Sequence, residues 1–187
     1  AESRLAGLTY LATNASEYDS RQAIASLATT RTPASRQAVE AFLTSPVAWR
    51  REAAAEQLAL LQDPASLPAI SAAIKKNKTD VEPLEQAGYS IIVAQPLKAV
   101  QELTRSSDNV TQRMAYLAIG ERAMRDNAGA KVLDTLRQGA SSNDPLIRGA
   151  SARALGRFAD NNAADILTGL LKDKSAEVRR DVAVALG

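Results

Sequence analysis

The chain carries IRGASARALG at residues 147–156 and, 31 residues later, VRRDVAVALG at residues 178–187. Both stretches have Arg in second place and close on Leu-Gly. The tripeptide Pro-Ala-Ser at residues 33–35 also returns after 31 residues, at 64–66. Recurrence at a fixed period of roughly 20–50 residues is typical of stacked repeat proteins. We therefore interpret the chain as a series of related structural units.

Each unit is predicted to contain two helices. In the clearest copy, Asp144 is suited to cap a helix and Pro145 to occupy its first position, where the missing N–H costs nothing. Apolar residues then recur at helical spacing until Asn161 and Asn162 interrupt the pattern before a second apolar helix. The same signals predict first helices near 19–29, 46–61, 81–94, 109–125, 145–158 and 176–187, second helices near 33–44, 64–76, 96–105, 128–138 and 162–172, and an opening half-unit at 3–13.

Units this short cannot bury their own apolar stripes, so neighbouring units must stack to form a shared core. We expect an all-α fold, a right-handed α-solenoid (an α-α superhelix) of about five to six helix pairs. Residues 1–187 are expected to form a single repeat domain, which could be a fragment of a longer chain. The repeat is most regular at 45–77 and 145–187 and degenerate at 78–140.

The composition excludes several kinds of chemistry. The 187 residues include no Cys and no His, which rules out disulfides, zinc fingers, a Cys nucleophile and a His general base. With 23 basic and 21 acidic residues the net charge is +2, too small to indicate a polyanionic partner. No apolar stretch is long enough to span a membrane. The compartment is left open, because a cytoplasmic and an exported bacterial protein both fit.

The recurring stretch at 178–187 resembles HEAT-like repeats, and more narrowly the short variety typified by phycobilin (PBS) lyase subunits. That variety has an acidic loop, Val-Arg, an Ala-rich helix ending in Leu-Gly, and a second helix ending in Leu-Leu-x-Asp, as at 170–173. Residues 145–187 match this pattern well and residues 45–77 match it moderately. The resemblance implies an armadillo-like α-solenoid. It implies no single function, because many unrelated adaptors share the repeat.

Arginines recur near the starts of the first helices. In the HEAT-like proteins that this chain resembles, such arginines form a ladder of hydrogen bonds to loop acids and carbonyls of adjacent repeats. Asp144 and Asp173 lie in loops just upstream of Arg148 and Arg179, and a planar guanidinium can bridge several acceptors at once. We therefore expect a structural role rather than ligand binding. The ladder candidates are Arg50 or Arg51, Arg113, Arg148, and Arg179 or Arg180.

The second helices are expected to line the concave wall of the solenoid. The helices are aligned on five apolar positions, namely Val39, Ile70, Val100, Leu133 and Leu167. This alignment gives two columns of candidate partner-binding residues, Glu40, Ser71, Gln101, Asp134 and Thr168 in one and Lys98, Lys131 and Asp165 in the other. Their charges are mixed, whereas a nucleic-acid groove would show a continuous basic stripe with interleaved aromatics.

We expect a non-catalytic scaffold or adaptor that binds another protein through the concave face. Stacked helix pairs make a rigid surface whose exposed columns can vary independently of the core. We recognise no catalytic, cofactor-binding or metal-binding arrangement of residues. One alternative is a bilin lyase or isomerase subunit, which the resemblance implies. A second alternative is nucleic-acid binding through a C-terminal cluster of Arg113, Arg122, Arg125, Arg148, Arg153 and Arg157.

Three local features complete the predictions. Gly88, inside the predicted helix 81–94, indicates either drift in a tolerant repeat or a bend that opens a partner groove. The sequence stops at Leu186-Gly187 after one helix of a pair, so further sequence or a second protein chain could cover that helix and form an oligomer. Burial is expected for Trp49, Tyr89, Tyr116 and Phe158, and partial exposure for Tyr10 and Tyr18.

Overall fold

The computed structural model describes residues 2–77, 79–158 and 160–187, and within those ranges it contains helices and no strand. The prediction of an all-α fold of the α-solenoid class is confirmed. The helices are α1 (Glu2–Asn14), α2 (Glu17–Thr29), α3 (Pro33–Glu40), α4 (Ala48–Leu61), α5 (Leu67–Lys76), α6 (Glu82–Ala94), α7 (Leu97–Leu103), α8 (Asn109–Arg125), α9 (Gly129–Ala140), α10 (Pro145–Leu155), α11 (Asn161–Leu170) and α12 (Ala176–Leu186). Short 3-10 segments follow α3 at Ala41–Thr44 and precede α5 at Pro64–Ser66.

The chain divides into two compact units, residues 1–91 and 92–187. The expectation of a single repeat domain stays a prediction. In the first unit, α2 packs between α1 and α4, and α3 packs against both α2 and α4. Its core is aliphatic, with Ile24, Leu27, Leu43, Leu58 and Ile70 almost fully buried.

Capping side chains fix where helices of the first unit begin. Thr32 and Ser35 form a reciprocal capping box at the start of α3, and Pro33 occupies the first turn. Asp63 accepts a hydrogen bond from the Ala65 N–H at the start of the 3-10 segment before α5. The sequence signals at Thr32-Pro33 and Asp63-Pro64 therefore mark second helices, as predicted.

The second unit stacks α8, α10 and α12 side by side, with α9 packed against α8 and α10, and α11 packed against α10 and α12. Small residues allow these helices to approach closely. A Cβ added at Gly149 would meet the Asp181 side chain, and one added at Gly156 would meet the backbone of Ala185. Close helix packing therefore needs Gly at 156, where a larger side chain would push against backbone, whereas at Gly149 the Asp181 side chain would have to move.

Stacked helices in the second unit differ in length. Helices α8 and α10 each begin one residue after an Asp cap, Asp108 and Asp144 respectively. Helix α8 has 17 residues, whereas α10 has 11. Beyond the close approach of Gly120 to Ala154, α8 continues for five residues to Arg125, whereas α10 continues for one, to Leu155.

The predicted helix boundaries differ from the observed ones by a few residues. Helix α10 ends at Leu155, so the predicted end at 158 is three residues too late. Helix α6 is continuous across Gly88. Among the aromatic residues, Tyr116 is buried, Trp49, Tyr89 and Phe158 are only half-buried, and Tyr10 and Tyr18 are exposed.

Candidate functional site

The ladder arginines lie four residues after a helix N-cap. Arg148 donates from Nη1 to the carbonyl oxygens of Ser142 and Asn143, at 2.9 and 3.1 Å. Arg51 makes the same pair of bonds to Ser45 and Pro46, at 2.9 and 3.3 Å. In each case the acceptors lie six and five residues before the arginine, in the loop that leads into its helix.

The third member of this ladder is Arg179, which donates to the carbonyls of Asp173 and Lys174 at 2.7 and 3.4 Å. The structure therefore distinguishes between the adjacent candidates that the sequence left open, placing Arg51 and Arg179 in the ladder. Arg180 is exposed. Arg50 instead donates from Nη2 to the Thr13 carbonyl at 2.6 Å, and its guanidinium lies 4.8 Å from the centre of the Trp49 ring.

In α8 the ladder position belongs to Gln112 rather than to Arg113. Gln112 is four residues after the Asp108 cap, and its Nε2 donates to the Thr104 carbonyl at 2.9 Å. In α2 the same position is Ser20, whose hydroxyl donates to the Ala15 carbonyl at 3.2 Å. Neither residue was predicted, because the recurring arginine was the sequence signal and the position counted from the helix cap was not.

The strongest contact of the ladder is the ion pair between Arg148 and Asp173. Arg148 Nε lies 2.7 Å from one carboxylate oxygen of Asp173, and Nη2 lies 2.8 Å from the other. The two side chains are only 6% and 8% exposed. Bidentate pairing of this kind joins the loop before α12 to the start of α10.

This ion pair changes the pKa of both partners. The hydrogen bond from Arg148 lowers the pKa of the Asp173 carboxyl, against the opposing effect of burial. The same hydrogen bond raises the pKa of Arg148. Both groups therefore stay charged over a wider pH range than they would in water.

The ladder arginines donate hydrogen bonds to loop atoms, and this arrangement is suited to holding the loops in place.

The predicted partner-binding residues fall into two groups. Five are exposed, namely Lys98, Lys131, Asp134, Asp165 and Thr168. The Glu40 side chain is 13% exposed and accepts a 2.6 Å bond from Arg36. Gln101 is half-buried, and its Nε2 donates to the Lys131 carbonyl at 3.3 Å.

The prediction for Ser71 needs a correction. Ser71 is 2% exposed, because α5 turns both Ile70 and Ser71 toward the core. A related shift of register occurs in α9, where Val132 is fully buried and Leu133, the residue used for the alignment, is half-buried. The rotation of α9 could not be predicted, since apolar residues stand side by side at Val132 and Leu133.

A groove of about 420 Å³ runs between α9 and α11 and includes Asp165 in its lining. Its walls include Arg137 and Ser141 from α9 and its end, and Asn162, Asp165, Ile166 and Gly169 from α11. Arg137 Nη1 lies 2.6 Å from a carboxylate oxygen of Asp134, and both side chains are exposed. A Cβ added at Gly169 would have no atom within 4 Å, so the groove is open at that point.

The structure brings only part of the predicted wall to this groove. Asp165 lines it directly, and Asp134 is connected to it through Arg137. Sequence analysis missed Arg137 and Gly169. The spacing of three residues from Asp134 to Arg137 on one helix was the available signal for the first of them.

The C-terminal arginine cluster consists mainly of ion-paired side chains. Four of its six members contact carboxylates of the same unit: Arg122 with Asp126, Arg125 with Glu121, Arg148 with Asp173 and Arg153 with Asp181. Nucleic-acid binding needs cations that are available to phosphates. The cluster therefore gives little support to the nucleic-acid alternative.

Membrane spans and metal clusters are the remaining kinds of functional feature. None of the helices in the described ranges is long and apolar enough to cross a membrane. Among residues 2–77, 79–158 and 160–187, no group of three or more Asp or Glu side chains is arranged to hold a metal ion.

Comparison with known families and structures gave several matches. A family model described as HEAT repeats matches residues 96–187, and a model described as PBS lyase HEAT-like repeat matches residues 50–76. No curated protein matches the sequence. A crystal structure of an engineered protein is 19% identical, covers 97% of this chain and 94% of its own, and has a TM-score of 0.49. Human deoxyhypusine hydroxylase in complex with glycerol is 12% identical, with coverage of 99% and 95% and a TM-score of 0.49.

Proposed function

We propose that this chain, which is a HEAT-like repeat protein, is a non-catalytic scaffold that binds another protein in the groove between α9 and α11. The observation that carries the proposal is the open groove itself, whose walls present Arg137 and Asp165 to the solvent. Side chains of both signs favour a protein segment that itself carries charges of both signs, because complementary charges fix orientation and register.

Rigidity of the groove walls supports this function. Helix α9 buries Val132 and Leu136, and α11 buries Ala163, Leu167 and Leu170. The exposed side chains of the groove therefore stand on helices that are anchored by their opposite faces. A preformed surface loses less conformational freedom on binding, so more of the contact energy appears as affinity.

Gly169 allows a matched test of the groove. Replacing Gly169 by Ala puts a methyl group into open space and is expected to stabilise α11 by about 0.5–1 kcal/mol. Replacing Gly169 by Trp is expected to fill the groove without disturbing the core, since this position is exposed. The two variants therefore separate a structural effect from a blocked surface.

The experiment is affinity capture from a lysate of the source organism with the wild-type chain and both variants, followed by identification of the captured proteins. We expect one or more proteins to be captured by the wild-type chain and by Gly169→Ala, and to be lost with Gly169→Trp. Equal capture by all three chains would contradict the proposal, as would a wild-type chain that captures nothing above an unrelated control protein.

The bilin lyase alternative remains a hypothesis supported only by the name of the matching repeat family. Its test is a titration of the chain with an open-chain bilin, followed by visible absorbance. A change in the absorbance spectrum at micromolar protein would favour it over the scaffold function.

A further inference from the structure

A second groove lies where α8 extends past α10 in the second unit. These helices approach closely at Gly120, where an added Cβ would be 3.0–3.1 Å from atoms of Ala154. Helix α8 then continues to Arg125, whereas α10 has already ended at Leu155. The final turn of α8 therefore lies beside the residues that follow α10, and Met124 lines the groove together with Arg157 and Phe158.

The walls of this groove are mainly apolar. Met124 from α8 is 54% exposed, and Leu133 from α9 and Phe158 after α10 are half-buried. The Phe158 ring lies directly over Gly129, where an added Cβ would come within 2.9 Å of it. Together these residues enclose a groove of about 450 Å³. Exposed methionine is common at surfaces that adapt to a bound protein segment.

The rim of the groove carries one guanidinium that has no protein partner. Arg157 is exposed, and its side chain makes no hydrogen bond or ion pair within the part of the chain that the structure describes. The nearby arginines of α8 are already paired, Arg122 with Asp126 and Arg125 with Glu121. Arg157, which lines the groove, is therefore available to a carboxylate.

The other charged residue of the rim is already engaged. An Asp160 carboxylate oxygen accepts hydrogen bonds from the Asn162 and Ala163 N–H groups, at 2.8 and 3.2 Å, and so caps α11. The start of α9 lines the groove as well, and its N-cap residue, Ala128, makes no side-chain bond there. That helix end adds a partial positive charge, whereas Asp160 keeps its negative charge in the cap of α11, so the positive groups of this groove are Arg157 and the start of α9.

From this combination we infer that the groove binds an acidic, apolar segment of a partner protein, in which an aliphatic side chain adjoins a carboxylate. The apolar walls take the aliphatic side chain, because burial there removes both surfaces from water. Arg157 pairs with the carboxylate, for which its planar guanidinium is suited. A simple anion would leave Met124, Leu133 and Phe158 unused, so the geometry favours a peptide.

The test uses two capped peptides with the intact chain, acetyl-Leu-Asp-Leu-Leu-Glu-amide and its neutral counterpart acetyl-Leu-Asn-Leu-Leu-Gln-amide. Binding is followed by amide chemical shifts in a ¹H–¹⁵N NMR titration. We expect the acidic peptide to shift the amides of Met124, Gly129 and Leu133. The dissociation constant should rise about tenfold for the neutral peptide, and by a similar factor when Arg157→Gln meets the acidic one.

Two further variants complete the test. Ala130→Trp fills the groove from an exposed position of α9 and should abolish the shifts, whereas Lys172→Gln removes an exposed cation elsewhere in the unit and should leave binding unchanged. The inference is overturned by equal binding of the two peptides, by unaltered binding in Arg157→Gln, or by the absence of shifts at millimolar peptide. Gly169→Trp should not affect this peptide, so the outcome is independent of the proposed function.

Discussion

Arg51 in the first unit and Arg148 in the second occupy the same ladder position but are held differently. Both donate to the carbonyls six and five residues before them. Arg148 adds two short bonds to Asp173, which is 8% exposed, whereas Arg51 makes one contact of 3.3 Å to Asp80, which is 64% exposed. The bonds to carbonyls of the preceding loop therefore occur in both units. The short, buried ion pair to an aspartate of the following loop occurs at Arg148 and not at Arg51.

The conformation of that following loop accounts for the difference. One carboxylate oxygen of Asp173 accepts the Ser175 N–H at 2.8 Å, which fixes the side chain toward Arg148. Asp80 lies in the left-handed region with φ of 56° and directs most of its side chain to solvent. The Nε of Arg51 is consequently buried with no hydrogen-bond partner in the described structure, whereas the Nε of Arg148 is paired.

The largest expected effect is the difference between Arg148→Ala and Arg51→Ala in the free energy of unfolding that each variant loses. Removing Arg148 leaves the carboxylate of Asp173 buried and unpaired, which should lower the free energy of unfolding by about 3–5 kcal/mol. Removing Arg51 leaves only carbonyl groups and an exposed carboxylate, for which we expect about 1–2 kcal/mol. Urea unfolding followed by circular dichroism measures both. Equal losses would show that the stabilisation comes from the bonds to the loop carbonyls rather than from the ion pair.

Double-mutant cycles give the next effect. The coupling energy between Arg148→Ala and Asp173→Asn should be about 1–3 kcal/mol, because the two side chains contact each other directly in a buried place. The coupling between Arg51→Ala and Asp80→Asn should stay below about 1 kcal/mol, as for exposed ion pairs. A large coupling energy between Arg51 and Asp80 would mean that the Asp80 side chain is more buried in solution than the structure shows.

Acid should weaken the second unit through Asp173. The folded-state pKa of this carboxyl lies below its ordinary value of 3.8, so its stabilising contribution is present above pH 3.8 and is lost as the pH falls through the lowered folded value. We expect the wild-type chain to lose stability in that acidic range and Asp173→Asn to show a smaller loss. Thermal melts between pH 2 and 6 measure this, with Asp80→Asn as the control for removal of an exposed carboxylate.

The smallest expected effect is that of Asp80→Asn by itself. Asn adopts the left-handed conformation at least as readily as Asp, and the contact to Arg51 is long and solvated. The free energy of unfolding should therefore change by less than about 0.5 kcal/mol. A loss comparable to that of Arg51→Ala would remove the distinction between the two ladder positions.

The sequence predicts the helix pairs because capping residues and the 31-residue recurrence are local signals. Pairs of adjacent arginines stayed ambiguous, since an alignment cannot choose between neighbours until the N-cap is known. The groove near Arg157 was missed for a related reason. The predicted end of α8 at residue 125 is correct, but the predicted end of α10 at residue 158 is three residues too late. The difference in length between the two helices was therefore underestimated. Rotation of a helix, as at Ser71, depends on its packing partners and left no mark in the sequence.

The ladder also determines how the second unit would respond to mechanical tension. Arg148 and Arg179 stand 31 residues apart, and each ties the loop before its helix to the helix itself. A pulling force therefore meets a separate clamp in each repeat and should release the chain in discrete steps. One 31-residue step lengthens the extended chain by about 100–110 Å, a distance that single-molecule stretching resolves.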